Sequence, residues 1–361
     1  MVSDKLVDLP WQTYQQLSLE EKGACLNRDA DPYHGLLAQQ FDRDMLDRLC
    51  MLATCIRRIA KSKAGMRYLH SLLDHKRAML YFTQPSSRTF LSFYAACQIL
   101  GISPAEVRDA ATSSEMKGES PEDTVRTFSS YFDLIIMRTP MQGFTERMAW
   151  LLSNSERPVP IINAGSGKDQ HPTQALLDIY TLQRSFERAG GIEEKTVVFV
   201  GDLARGRTVR SLSYLLTHYP GVRQIFVAPA SLQISADITD QLKQAGTDYQ
   251  LHDDLHEVIP QADAIYMTRI QDEWDTVPGE SARIDTSRYH FRAEDLQHLK
   301  HAAVIMHPLP RRQEVDVAVD NDPRAVYWRQ VRNGMWIRVA LIATVFRRAE
   351  DIRNFYDKNM L

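Results

Sequence analysis

Ser86-Ser87-Arg88-Thr89 sets three hydroxyls and a guanidinium side by side. They follow the apolar run Arg77–Phe82 and precede Phe90, Phe93, Tyr94, Cys97 and Leu100, which recur at three- and four-residue intervals up to Gly101. The run has the length of a buried strand, and the spacing after it is that of a helix. Ser86 or Ser87 is then a candidate N-cap. The first turn of such a helix aims unpaired N–H groups and the positive end of its dipole at whatever sits above the strand end. Ser87, Thr89 and the forked Arg88, added to those groups, make a phosphate cradle. The plainer reading of this stretch is a serine-capped helix with a solvated arginine.

Other apolar runs end in similar chemistry. "DLIIM" leads into Arg138-Thr139-Pro140, where the proline holds Thr139 extended. "VPIINAGSGKDQHPTQ" passes through a glycine-rich loop to His171 and Gln174, three residues apart on the opening turn of a helix. "VVFVGDLARGRT" reaches Arg207, "AIYMTRIQ" reaches Arg269 and Gln271, and "AVIMHPLPRR" reaches the Pro308-Leu309 turn and Arg311. One arginine after a strand is ordinarily a surface residue. Five cationic strand ends, Arg88 included, imply a pocket for small, strongly anionic molecules carrying phosphate and carboxylate.

The elements that must position these groups alternate along the chain. Strand-like runs fall at Arg77–Phe82, Asp133–Met137, Val159–Ile162, Lys195–Val200, Gln224–Val227, Ala264–Met267 and Ala303–Met306. Helical patterns occupy Asp44–Ala64, Pro121–Tyr131, His171–Arg188 and Thr208–Tyr219. That alternation predicts an α/β protein with largely parallel sheets, in which ligands bind at the carboxyl ends of strands. At 361 residues two domains are expected. The first 35 or so residues are polar and weakly periodic, an arm or an extra helix.

Composition excludes several classes. A net charge of -3 gives no reason to expect a nucleic-acid partner. No run is long and apolar enough to span a membrane, and the amino-terminal stretch lacks a signal-peptide core. Cys25, Cys50, Cys55 and Cys97 form no CxxC pair and read as reduced thiols of a cytoplasmic protein. His171 and His307 are each followed by proline, with no second His or Cys at ligand spacing, so a metal site is poorly supported. "VGDLARGRT" lacks G-x-G-x-x-G, and no phosphate-binding G-x-x-x-x-G-K-[ST] occurs, so neither a nicotinamide nor a nucleotide cofactor is expected.

"SSRT" with "FLSF", "MRTP", "NAGSGKDQHPTQALLDIYTL", "VGDLARGRTVRSL", "IYMTRIQDE", "HPLPR" and "NGMWIRVALIATVF" occur in this order across roughly residues 40 to 350. The set resembles the carbamoyltransferases, with "HPLP" and "MTRIQ" similar to the aspartate branch and not to the ornithine branch, which carries "HCLP". The resemblance implies two doubly wound parallel-sheet domains of similar size, joined by interdomain helices. Residues 36–171 with 334–361 would bind carbamoyl phosphate and 172–333 aspartate, leaving 1–35 as an extension of unknown role.

What the resemblance implies for the site is specific. Ser86, Ser87, Arg88 and Thr89 would hold the phosphate. Arg138, Thr89 and His171 would approach the carbamoyl oxygen. Gln174 and the backbone carbonyls of Pro308 and Leu309 would receive the carbamoyl amino group. Arg207, Arg269 and Gln271 would bind the aspartate carboxylates. Ser113 and Lys117 would lie on a loop inserted into a neighbour's site, with Lys117 reaching both substrates. The resemblance thus also implies a homotrimer with shared sites, working in pyrimidine biosynthesis; whether regulatory or other chains join it is left open. Gln84, Trp274 and Ala204-Arg205 stand where the bacterial aspartate enzymes of the family carry Glu (often), Arg and Lys-Tyr, positions that the resemblance assigns to domain closure and cooperativity. Two alternatives stand beside this reading: a non-catalytic homologue with a structural or regulatory role, and transfer to a different amine acceptor.

Overall fold

Strand formation follows the apolar runs. The computed structural model describes residues 6–108, 118–167, 170–275, 279 and 281–360. Residues up to Leu177 together with Asn333–Leu361 form one compact unit, and Asp178–Arg332 form a second.

In the first unit the chain begins with α1 (Trp11–Gln16), α2 (Leu19–Cys25) and the short antiparallel pair β1 (Asn27–Arg28) and β2 (Asp31–Pro32). Then come α3 (Arg43–Ile59), α4 (Lys63–Ser71), β3 (Arg77–Phe82), α5 (Ser87–Ile99), β4 (Ser103–Val107), α6 (Pro121–Tyr131), β5 (Leu134–Arg138), α7 (Phe144–Ser153) and β6 (Ile161–Asn163). The helical pattern over 44–64 is two helices, not one. Ser62 caps α4 by accepting the Gly65 N–H at 2.9 Å, which offers the backbone an exit from α3. β3–β6 make a parallel sheet in the order β4-β3-β5-β6.

Alternation along the strands divides the core. Met79, Tyr81, Ile135, Met137 and Ile161 share one apolar cluster with Leu6, Tyr14, Leu26 and residues of α7. The amino-terminal extension is therefore part of this core. Trp11 stacks on Tyr14 with ring centroids 5.5 Å apart, and Trp150 of α7 donates its indole N–H to the carbonyl of Leu9 at 2.6 Å. It is neither a free arm nor a single added helix.

α8 (Pro172–Phe186) starts in the first unit and ends in the second, and α11 (Tyr327–Val345) returns the chain before α12 (Ala349–Met360). Between them lie β7 (Thr196–Val200), α9 (Arg207–Leu216), β8 (Arg223–Val227), α10 (Ala236–Gln244), β9 (Tyr249–His252), β10 (Ala264–Met267) and β11 (Val304–Met306). These five strands form a parallel sheet in the order β11-β10-β7-β8-β9. Val198, Val200, Ile225, Val227, Ile265, Met267 and Ile305 pack into the core on one face. Phe199 stacks on Phe226 with ring centroids 5.1 Å apart, from the intervening positions. Among the described residues no helix is long and apolar enough to cross a membrane.

Candidate active site

Each sheet reverses its strand order once. In the first unit the chain passes from β3 outward to β4, then returns to β5 on the other side. In the second it passes from β7 to β8 and β9, then returns to β10. The crevices outside the carboxyl ends of β3/β5 and of β7/β10 are therefore topological switch points, where open α/β sheets bind ligands. Seven of the candidate residues follow these four strands within nine positions.

After β3, Ser86 is the residue preceding α5, and Ser87, Arg88 and Thr89 form its first turn. The first bond of the helix is from Phe90 N–H to the Ser86 carbonyl at 3.2 Å, so the amides of residues 87–89 lie ahead of the ladder. Ser86 is the N-cap, one of the two candidates, though its side chain makes no cap bond. Ser87 and Arg88 are exposed and Thr89 is buried, which suits a cradle open on one side.

At the end of β5, the guanidinium of Arg138 is buried and donates from Nη1 to the Ala164 carbonyl at 3.1 Å. His171 and Gln174 are both buried, and the N–H groups of Gln174 and Ala175 bond back to the His171 carbonyl at 3.0 and 3.1 Å. Gly165 brings the first two together. Its φ is +94°, and a Cβ there would lie 2.8 Å from Arg138 Nη1 and 2.6 Å from His171 Cδ2. Sequence reasoning passed over Gly165 and Asn163. The Asn163 side-chain oxygen accepts the N–H groups of Gly165 and Ser166, both at 2.8 Å, and shapes the loop. An asparagine at a strand end, two residues before a glycine, was the available signal.

In the second unit Arg207 opens α9, and Arg269 and Gln271 follow β10. Gly201 lets the ends of β7 and β10 close up, since a Cβ there would be 2.2 Å from the Thr268 carbonyl oxygen. Arg269 forms a two-pronged ion pair with Glu273, with Nη1 2.8 Å from Oε2 and Nη2 bonded to Oε1. The Arg269 guanidinium holds the Glu273 carboxyl below its ordinary value. Gln271 is pinned from both sides. Buried Asp202 accepts its N–H at 3.0 Å, and Arg205 donates to its carbonyl at 3.2 Å. Arg205 also meets Asp275 at 2.8 Å. Burial pushes the Asp202 carboxyl up, opposed by the Gln271 and Arg205 N–H groups. Asp202 was also passed over in sequence; an aspartate two residues past an apolar strand was its only mark.

Arg311 does not belong with these cations. Its Nη2 lies 2.8 Å from Asp320 Oδ2 and its Nη1 3.1 Å from the Tyr327 hydroxyl, so it is spent on structure. Pro308 and Leu309 lie just beyond β11, with Leu309 at φ +54°. Ser113 and Lys117 lie outside the described residues.

Hydroxyl and guanidinium groups thus follow β3 at one switch point, and guanidinium and amide groups follow β7 and β10 at the other. Residues 34–184 match the carbamoyl-phosphate-binding domain of the aspartate/ornithine carbamoyltransferases, and residues 193–345 match their aspartate/ornithine-binding domain. The chain belongs to the aspartate/ornithine carbamoyltransferase family. It is 40% identical over 309 residues to aspartate carbamoyltransferase 1, chloroplastic, of Pisum sativum, covering 84% of this chain and 76% of that one. With the aspartate carbamoyltransferase catalytic subunit of Vibrio cholerae (strain El Tor Inaba N16961) it shares 42% identity over 280 residues, 77% of this chain and 87% of the relative. It is also similar to the crystal structure of the Trypanosoma cruzi aspartate transcarbamoylase in complex with carbamoyl phosphate and aspartate. That match has a TM-score of 0.77 at 35% identity, covering 86% of this chain and 96% of the other.

Proposed function

We propose that the chain transfers the carbamoyl group of carbamoyl phosphate to the α-amine of L-aspartate, giving N-carbamoyl-L-aspartate and phosphate. What supports the reading is that hydroxyl and guanidinium groups follow the strand at one switch point and guanidinium and amide groups those at the other, in a chain whose relatives include aspartate enzymes.

In this reading Ser86, Ser87, Arg88 and Thr89 bind the phosphate, with the amides of the first turn of α5 adding their partial positive charge. The amine attacks the carbamoyl carbon, and negative charge grows on the carbonyl oxygen. Arg138, His171 and Thr89 stabilise it as donors fixed in place before reaction. Gln174 and the carbonyls of Pro308 and Leu309 take the carbamoyl amino group. Phosphate leaves against Arg88 and Lys117 and can itself accept the amine proton. No covalent enzyme intermediate is called for. Arg207, Arg269 and Gln271 hold the aspartate carboxylates, so much of the acceleration comes from orienting two anions.

The same reading assigns the chain to pyrimidine biosynthesis in the cytoplasm, as a homotrimer in which Ser113 and Lys117 complete a neighbour's site. The division of labour follows the two units, with carbamoyl phosphate bound by 36–171 and 334–361 and aspartate by 172–333.

Phosphate release from carbamoyl phosphate, with aspartate or ornithine as acceptor, tests it. Release with aspartate alone is expected. Release with ornithine alone would redirect the acceptor assignment, and release with neither would make the chain a non-catalytic homologue. Arg269→Ala should cost about 3–5 kcal/mol of transition-state binding while sparing the binding of carbamoyl phosphate.

A further inference from the structure

We infer that His307, braced by Glu314, is a positioning residue that locks the Pro308-Leu309 turn with its carbonyls presented to the amino group of carbamoyl phosphate. The inference rests on the reading above of those carbonyls as the acceptors.

Leu309 has φ +54°, a left-handed conformation that a bulky non-glycine residue holds only where its surroundings over-determine it. The restraint is visible. The Leu309 N–H donates to His307 Nδ1 at 2.7 Å. A backbone N–H can only donate, so Nδ1 carries no proton and the ring's proton is on Nε2. Nε2 lies 2.7 Å from Glu314 Oε1 and donates to it. Burial pushes the Glu314 carboxyl up, but the bonds from His307 and from the Arg312 N–H outweigh it and leave it below its ordinary value.

The ring's backbone is fixed as well. The His307 N–H donates to Gln330 Oε1 at 3.0 Å, and Gln330 Nε2 donates to Asp178 Oδ1 at 2.6 Å. Asp178 takes its second bond from the Tyr266 hydroxyl at 2.8 Å. His307 is 1% exposed, so in this inference its effect on chemistry passes through the groups it holds, Leu309 first among them. A buried, hydrogen-bonded histidine often serves stability alone. Here its acceptor nitrogen is used by the one amide whose orientation sets the turn, and its donor nitrogen by a carboxylate that keeps the tautomer.

Acetyl phosphate separates the two roles, because a methyl group replaces the amino group and cannot donate to the turn. The ratio of the binding constants of carbamoyl and acetyl phosphate reads the turn directly. His307→Gln keeps a donor for Glu314 but lacks the acceptor at the Nδ1 position. The ratio should fall about tenfold, through carbamoyl phosphate, with the KM for aspartate within about twofold of wild type. His307→Asn places an amide oxygen near the Nδ1 position and should recover most of the ratio. Glu314→Gln, which leaves the ring in place, should lower it by a smaller factor and keeps the test open if His307→Gln does not fold. An unchanged ratio in His307→Gln and Glu314→Gln, with an active wild type, would overturn the inference alone. A wild-type chain that released no phosphate with aspartate would overturn the underlying reading too.

Discussion

Arg138 and His171 press on the same point from two elements: the guanidinium Nη1 and the imidazole Cδ2 stand 2.8 and 2.6 Å from where Gly165 would carry a methyl group. The loop between β6 and α8 thus brings together two donors proposed for one developing oxyanion. Gly165→Ala must move one of them or the loop, and its φ of +94° adds strain. The expected result is a loss of about 100-fold in kcat/KM with a stability loss of about 1–3 kcal/mol. Activity that survives in a folded Gly165→Ala protein would show that the two groups do not act at one place.

Glu273 holds Arg269 by the outer edge of its fork, through Nη1 and Nη2, while Nη1 also reaches the Ile270 carbonyl at 3.0 Å. In the proposed reading the Nε–Nη2 edge takes a second carboxylate, that of aspartate. Glu273→Gln removes the brace. Because the pair is partly exposed, the effect should be modest, about a fivefold rise in the KM for aspartate with carbamoyl phosphate binding unchanged. A fall in that KM would mean that Glu273 competes with substrate instead of orienting its partner.

Acid should weaken the first unit through His34. This ring is fully buried, accepts the Ile161 N–H at Nδ1 at 3.0 Å and meets Ser153 Oγ from Nε2 at 2.9 Å. Burial, with a smaller push from the Arg28 charge, drives it down to about 3 from its ordinary 6.5. Above 6.5 it is neutral folded or unfolded, and the contribution is complete. As pH falls below 6.5 the unfolded chain binds a proton that the folded chain refuses, so stability declines until about pH 3. Between neutrality and about pH 4.5 the loss from this group is roughly 2–3 kcal/mol. Urea midpoints of wild type and His34→Asn across that range should converge as pH falls; parallel curves would remove His34 as the cause.

Shared sites can be tested by complementation. Lys117→Ala and Arg88→Ala chains should each be nearly inactive. If Lys117 serves a neighbour's cradle in a closed ring of three, each mixed trimer holds one junction with both native residues. Random reassembly of equal amounts makes about three-quarters of trimers mixed, so roughly a quarter of wild-type activity should return. Mixed trimers identified by mass spectrometry but without activity would place Lys117 in its own chain's site or in none.

Much of the architecture is local and was legible as such. Apolar runs of strand length, proline and glycine stops, and hydroxyls before helices depend on residues a few positions apart. β3, β5, β7, β8, β10 and β11 accordingly lie where the runs predict, within about a residue or two at either end. β4 and β9 escaped the pattern. Each is one of the two edge strands of its sheet, "SPAEV" and "YQLH", and only half-buried, unlike the buried opposite edges β6 and β11. An edge strand is recruited by the backbone donors of its neighbour and need not be apolar.

That cations follow strands was written in the sequence; what each of them is bonded to was decided in three dimensions. Arg311 and Arg269 look alike along the chain, yet Arg311 is spent on Asp320 and Tyr327, while Arg269 is braced by Glu273 beside a switch point. Strand order creates the switch points, and it depends on the pairing of β3 with β5 and β7 with β10, partners more than fifty residues apart. The extension went the same way: Leu6 and Tyr14 lack a clear period in the sequence, but both are fully buried against α7 and the sheet. Periodicity reports the faces a segment presents to water, whereas burial of an irregular segment depends on a surface supplied by distant residues.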